Sequence, residues 1–362
     1  MKKLLLILLI FPLLTGECHA SGLAGDFGAG EAETMLPPEI RNVAGELEAD
    51  GSFDTTAAVV RLIKHAGEAV RNEIKGNIGL IVSEISIGLC AAFALTFCGD
   101  GTNKYYVNLI GVCAEAVLLL GSMDALINSL AETMRRLSDY SKVAFPAVFT
   151  ASAISGAAIS APAKYAVVCL GLEVLMNLSD KLIIPLVYAF AALSLSGCVY
   201  GNAMTDMLKK TSKWAAITLM TALTLTFSLL LSVSGAITGS ADALAVKTAR
   251  TVISGTLPVV GGLASDAAAA VLSAASMIKA SVGALGMTAV CAFCIEPFAK
   301  LFVRYLAFKA GAAICTAFSG GGIGSFLDDM GSAAAMLMGL TGSECIMLFI
   351  SFTSAIKAVT GV

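Results

Sequence analysis

The sequence predicts an all-α polytopic membrane protein with about eight transmembrane helices, in a range of about seven to ten. Three observations predict this class. The 362 residues are 57% apolar and 14% charged, with a mean hydropathy of +0.86, whereas soluble chains are roughly half apolar and about a quarter charged. The apolar residues form runs of about 20, the length of a helical span. The formal charge is only −3 without a long basic run, which favours the lipid bilayer and argues against a nucleic-acid partner.

Residues 1–20 have the pattern of a secretory signal peptide. Two lysines precede an apolar run over 4–14, and Cys18 and Ala20 place small residues at the two positions that define a cleavage site. The run is too short for a comfortable membrane span. We therefore predict cleavage after Ala20, with an uncleaved first membrane helix as the alternative.

Residues 21–76 form a predicted acidic leader outside the cytoplasm. They hold ten Asp/Glu against five Lys/Arg, whereas residues 77–362 hold fifteen acids and sixteen bases. Within the leader, residues 55–75 carry apolar side chains at helical spacing on one side and charges on the other. This spacing predicts an amphipathic helix on the membrane surface or against a partner.

Residues 77–362 form the predicted multi-pass membrane domain. Two stretches between spans, 128–142 and 202–213, carry basic clusters, but their sides of the membrane stay open because the span count is open. The candidate spans lie at about 78–98, 106–127, 143–162, 165–178 with 182–201, 214–237, 252–274, 277–295, 297–318 and 334–358.

Two of these segments are predicted to be broken helices. Residues 165–201 are interrupted by a polar run from Asn177 to Lys181 and by Pro185, and residues 252–274 are interrupted by Pro258, a pair of glycines, Ser265 and Asp266. Proline removes a helix hydrogen bond, and lipid tolerates the freed polar groups only where protein or water covers them. Such segments mark either a transport path or two short helices joined by an interfacial turn.

The sequence offers no set of residues for catalysis, cofactor binding or metal binding. After cleavage, His65 is the one histidine left, and it lies in the charged amphipathic stretch. Cys291 and Cys294 have the spacing of a metal knuckle but lie in an apolar segment without a second pair. We expect no enzyme activity, no cofactor and no metal site.

Acidic residues inside hydrophobic segments need an explanation, because a charge at the bilayer centre costs about 2.5–3.5 kcal/mol. Lys247 and Lys279 are possible counter-charges. No base lies within two helical turns of Glu115, which is protonated or faces a cavity. Acids of this kind form either a proton- or ion-coupled site, or an interhelical hydrogen bond or a position at a helix end. The acids concerned are Glu84, Glu115, Asp124, Glu173, Asp266 and Glu296.

Several sequence motifs resemble the stage III sporulation protein AE family of endospore-forming bacteria. The resemblance is strong over about 180–360 and weaker from about 55. Cys315-Thr316-Ala317 and the glycine run at 320–324 depart from the family pattern. The matching motifs are Ala241-Asp242, Ala245–Arg250, Leu257–Ala267, Met277–Gly283, Pro297–Leu301, Phe308–Ala313 and Asp329–Gly331.

The resemblance implies a membrane component encoded in the stage III sporulation A operon. Its products, with a forespore partner, are thought to form a channel joining mother cell and forespore. A stand-alone secondary transporter with its site at the interrupted helices is the alternative function. The family has no established catalytic residues, so the matching positions are only expected to be sensitive to substitution: Asp242, Lys247, Pro258, Gly261, Gly262, Ser265, Asp266 and Lys279.

Overall fold

The computed structural model describes residue 34 and residues 36–45, 53–98, 102–256, 261–319 and 322–357. The predicted signal peptide at 1–20 and the first part of the leader lie outside these residues. The described residues form helices and contain no strand. The helices are α1 (Pro38–Ala44), α2 (Thr55–Phe97), α3 (Thr102–Ile154), α4 (Ser160–Leu178), a π-helical turn (Ser179–Ile183), α5 (Ile184–Tyr200), α6 (Ala203–Thr256), α7 (Gly261–Ser319) and α8 (Gly322–Ile356).

The all-α polytopic class is confirmed. Within the described residues, six helices are long and apolar enough to cross a membrane, whereas the sequence analysis expected about eight. The numbers differ because predicted neighbours merge into single helices, 106–127 with most of 143–162 in α3 and 277–295 with 297–318 in α7. The spanning candidates are Thr55–Phe97, Lys104–Ile154, Ser160–Tyr200, Ala203–Ser234, Ala275–Ala317 and Gly322–Ile356.

The stretch at 128–142, expected to be a loop, is part of helix α3. Its charges pair along the helix surface: Arg136 with Glu132, and Lys142 with Asp139 at 2.8 Å. Opposite charges spaced by three or four residues stabilise an exposed helix, so the polar run continues the helix. The other expected loop, 202–213, likewise joins α6 from Ala203 onwards. Helix α2 similarly runs past the predicted domain boundary at residue 76.

The predicted break in 165–201 is a π-helical turn between α4 and α5. The N–H of Ile184 donates to the carbonyl of Ser179, five residues earlier. Pro185 follows at once, and a proline ring clashes with the carbonyl four residues before it. The wider turn relieves that clash without ending the helix. In 252–274, α6 ends at Thr256 and α7 begins at Gly261, so this segment is divided between two helices.

Helices α7 and α8 form the centre of the bundle. In the most apolar stretch of each helix, 82% of α7 and 67% of α8 is buried, against 18% of α2 and 22% of α6. Two hydrophobic cores surround this centre. Val168 of α4 packs with Phe227 of α6 in one core, and Val187 and Phe190 of α5 pack against α8 in the other. The outer helices expose apolar faces, as expected for lipid-facing elements.

Contacts between helix ends show that the long helices alternate in direction. We call the end of the bundle at which α3 and α6 begin the upper end, and the opposite end the lower end. At the upper end, Tyr105 near the start of α3 donates to the carbonyl of Val199 at the end of α5. There too, Lys209 of α6 pairs with Asp329 of α8 at 2.8 Å. At the lower end, the C-terminus of α3 meets the C-terminus of α8, where the Ser152 hydroxyl donates to the Ala355 carbonyl at 2.8 Å. The resulting antiparallel bundle buries polar side chains at two levels.

Candidate functional site

The first polar group lies at the lower end and brings together α3, α4, α6 and α8 with the part of α7 around Lys279. A turn over 155–159 joins α3 to α4. Gly156 has φ +113°, a left-handed conformation that glycine adopts without strain. The turn leaves the first N–H groups of α4 without helical acceptors, and Ile159 at the N-cap has no side chain that caps them. Another part of the chain must therefore supply the acceptor.

Asp242 of α6 supplies that acceptor. Its carboxylate accepts from the N–H of Ile159 at 2.7 Å and from the N–H of Ser160 at 3.2 and 3.3 Å. Only 4% of Asp242 is exposed. A negative charge at a helix N-terminus also complements the helix dipole. Asp242, which the sequence analysis nominated through the resemblance, thus ties α6 to the start of α4.

Lys164 performs the complementary task at the end of α8. Its ammonium donates to the carbonyl of Ser354 at 3.3 Å, and Asp242 lies within electrostatic range of the same ammonium. Cations favour helix C-termini, where the last carbonyls lack helical donors. The buried Lys164 was not nominated from the sequence, although it is a lone base in an apolar segment.

Lys279 of α7 is the third buried charge at this end, with 3% of its surface exposed. The ammonium of Lys164 lies within electrostatic range of Lys279 and repels it. Among the described residues, its ammonium has no hydrogen-bond acceptor. The predicted role as counter-charge to an intramembrane acid stays a prediction. We call Asp242, Lys164 and Lys279 the lower-end cluster.

The remaining motif positions lie around this cluster in the sequence. Pro258 lies outside the described residues. Lys247 is exposed on α6, five residues after Asp242. The other four open α7, where the structure describes their helical backbone: Gly261, Gly262, Ser265 and Asp266.

The second polar group lies inside the bundle, between α2, α3 and α7. Glu84 of α2 is 1% exposed, and its carboxylate pairs with the guanidinium of Arg304 at 3.3 Å. The same guanidinium donates to the side-chain oxygen of Asn77 at 2.7 Å. Glu115 of α3 is fully buried and within electrostatic range of Glu84. We call these four residues the mid-bundle cluster.

The other nominated acids are placed differently. Glu173 and Glu296 are exposed on α4 and α7. Asp124 accepts from the hydroxyl of Tyr188 at 2.9 Å and so links α3 to α5. Glu344 of α8, which was not predicted from the sequence, is 2% exposed and within electrostatic range of Asp180 in the π turn. A single acid within the segment 334–358 was the available signal.

The described part of the chain contains no group of three or more His, Cys, Asp or Glu residues arranged to hold a metal ion. The polar groups instead join helices. The lower-end cluster joins the N-terminus of α4 to α6 and to the C-terminus of α8. The mid-bundle cluster joins the sides of α2 and α7 next to α3. Nothing in either arrangement pairs a nucleophile with a base.

Comparison with known proteins identifies the family. The family model described as stage III sporulation protein AE matches residues 39–359. The chain belongs to this family. The stage III sporulation protein AE of Bacillus subtilis (strain 168) is 27% identical over 244 residues, which are 67% of this chain and 61% of that protein. The alignment therefore covers less than two thirds of the relative. No solved structure matches the chain.

Membership of the stage III sporulation protein AE family confirms the resemblance and gives the two clusters a context. The matched residues include all six candidate spans and both clusters. The family is a sporulation family and is not known as an enzyme family. The two clusters therefore lie within the matched part of a helical membrane protein of a sporulation family.

Proposed function

We propose that the protein is a membrane subunit of a channel or secretion-like complex that connects mother cell and forespore during sporulation. The observation that carries the proposal is the family match over 39–359, which includes six helices suited to membrane spans. The subunit resides as a multi-pass protein in the mother-cell membrane around the forespore, with its N-terminal leader outside the cytoplasm. Its partners are the other membrane proteins of the stage III sporulation A operon and a forespore channel protein.

The surface of the bundle supports a role as a subunit. The outer helix α2 exposes large apolar side chains along much of its length, among them Val60, Ile63 and Phe93 at 63%, 61% and 68%. Exposed apolar surface of this extent fits lipid or the apolar face of another membrane protein. The most buried helices, α7 and α8, fill the centre of the bundle. Partner proteins are therefore expected to bind the outer helices.

The proposal is tested by deleting the gene in the spore-forming host. We expect vegetative growth at the wild-type rate and arrest of sporulation after engulfment, with heat-resistant spores lost. A copy carrying Asp139→Asn, an exposed position paired only along α3, should restore sporulation as well as the wild-type copy does. Normal numbers of heat-resistant spores from the deletion strain would overturn the proposal.

A second candidate function is a stand-alone secondary transporter, and the π turn favours it. Interrupted helices mark substrate sites in many transporters, and π turns often lie at functional sites. An open surface depression of about 540 Å³ lies beside the turn, lined by residues that include Glu173, Asn177 and Lys181.

The transporter function predicts solute accumulation by purified protein in liposomes, with loss of uptake in the variant Asp266→Asn. The matched control is Asp206→Asn, an exposed acid at the start of α6. Absence of uptake across a broad panel of solutes counts against this function. The channel-subunit proposal does not depend on this result, because the gene deletion tests it separately.

A further inference from the structure

Glu115 is the buried charge with the fewest partners in the mid-bundle cluster. The residue is 0% exposed. Neither carboxylate oxygen has a hydrogen-bond partner among the described residues. Its helical neighbours Val112, Ala116 and Leu119 belong to a hydrophobic core. A bare carboxylate in such surroundings would be strongly destabilised, so something must neutralise it.

The base of the mid-bundle cluster, Arg304, is already engaged by other groups. Arg304 pairs with Glu84 at 3.3 Å and donates to Asn77 at 2.7 Å. Asn77 in turn donates to the backbone carbonyl of Glu73 at 3.0 Å. The cluster therefore holds two acids and one base, and the base is satisfied by the acid on α2.

Helix geometry places Glu115 beside this ion pair. Helices α2 and α3 are antiparallel, and a Cβ on Gly111 would lie 3.1 Å from the Cβ of Ala91. Glu84 is seven residues before Ala91, and Glu115 is four residues after Gly111. At 1.5 Å per residue, both acids lie below that contact, by about 10 Å and about 6 Å. The two carboxylates are thus only about one helical turn apart along the bundle.

The residues that face Glu115 from the other helices do not form a metal-ion site. The groups in electrostatic range are Glu84 of α2 and the thiol of Cys315 of α7. Hard cations require several oxygen ligands around one centre, and the described residues contain no group of three or more acids, histidines or cysteines that could hold a metal ion. A proton needs only one carboxylate oxygen.

We propose that Glu115 is a proton-binding site in the membrane interior, set against the Glu84–Arg304 ion pair. The carboxylate takes a proton from water reaching the bundle and becomes a neutral carboxylic acid, which the apolar interior tolerates. Release of the proton to water places a second negative charge beside Glu84. The repulsion between the two carboxylates then acts on Glu84, which ties α2 to Arg304 of α7. This proposal does not depend on the channel function.

Infrared spectroscopy of the whole protein in phospholipid nanodiscs tests the proposal. We expect a carbonyl-stretching band of a protonated carboxylic acid near neutral pH, which moves on exchange into D₂O and declines as the pH is raised. The part of the band that comes from Glu115 should be lost in Glu115→Gln and retained in Glu296→Gln, the matched variant at an exposed acid of α7. Identical carboxylic-acid regions in wild type and Glu115→Gln would overturn the proposal.

Two further measurements keep the proposal testable if Glu115→Gln does not fold. In Glu115→Asp the acid remains, so its band should persist but should no longer move when the protein carries ¹³C-labelled glutamate. Because the buried Glu344 contributes equally to both proteins, a label-sensitive band as large as in wild type would refute the assignment. Addition of Na⁺ or K⁺ should leave the spectrum unchanged. Carboxylate bands that depend on Glu115 and move with either salt would identify a metal cation in place of the proton.

Discussion

Replacing Asp242 by alanine tests whether the lower-end cluster holds α4 against α6. The substitution removes the acceptor of the Ile159 N–H, at 2.7 Å, and of the Ser160 N–H, at 3.2 and 3.3 Å. It also removes the carboxylate in electrostatic range of Lys164. Both consequences act on the same helix start, so a single variant reports on the junction.

The expected loss follows from the groups left behind. Removing an N-cap acceptor costs about 0.5–2 kcal/mol, and a buried donor without an acceptor costs about 1–3 kcal/mol. Polar contacts between helices in a bilayer contribute less, about 0.6 kcal/mol on average and up to about 1.7. We expect the free energy of unfolding to fall by about 2–3 kcal/mol, roughly a 30- to 150-fold shift in the unfolding equilibrium. Asp242→Asn should lose less, because its amide oxygen still accepts the Ile159 N–H.

Reversible unfolding in mixed micelles, followed by circular dichroism, measures this loss. Asp139→Ala is the matched control, because the Asp139 side chain is 73% exposed and pairs only with Lys142 on its own helix. Such surface pairs contribute little to stability. If Asp242→Ala unfolds with the same midpoint as wild type and Asp139→Ala, the proposed capping of α4 by Asp242 is refuted.

Three further predictions concern helix contacts and the family motif. Gly88→Ala should lower the melting temperature because the added Cβ would overlap the sulfur of Cys315, and Cys315→Ala in the same chain should restore most of the loss. Lys209→Glu should lower it by breaking the 2.8 Å pair with Asp329, and adding Asp329→Lys should recover part of the loss. Gly262→Leu should reduce the number of heat-resistant spores at normal protein level, because a bulky side chain restricts the backbone and the packing at the start of α7.

Each of these predictions has its own control. Gly76→Ala on the same helix as Gly88 adds a Cβ that meets no atom within 4 Å, so it should leave the melting temperature unchanged or raise it. A charge exchange at the exposed Lys142–Asp139 pair should have little effect. Wild-type spore numbers in both Gly261→Leu and Gly262→Leu would show that this segment tolerates bulk.

The apolar runs predicted the helical membrane class because lipid leaves few alternatives for a chain so poor in charge. The interruption before Pro185 was also predictable, since its cause is local. The continuity of α3 was not predicted, because a run containing Arg136 and Lys142 resembles a loop until the helical pairing of its charges is considered. The continuity of α7 was likewise not predicted. The spans 277–295 and 297–318 were expected to be separate, but Pro297 lies within α7 without ending it.

The composition of the two clusters was less accessible from the sequence. Asp242 was nominated through the resemblance, but its partners Ile159 and Ser160 lie more than 80 residues away in the chain. Glu84 and Arg304 are 220 residues apart. Local reasoning could show that a charge in an apolar helix needs a partner, but the partner depends on how the helices pack.

The π turn sets a constraint on chain length between the two cores. The bond from the Ile184 N–H to the Ser179 carbonyl spans five residues, so this turn holds one residue more than an α-helical turn. Successive residues of an α-helix are rotated by about 100°, so Val187 and Phe190 face the core they share with α8 only because the extra residue is taken up within Ser179–Ile183. Deletion of one residue here would return the turn to α-helical spacing and leave that face in place, whereas a deletion between this turn and Val187 would turn the face away.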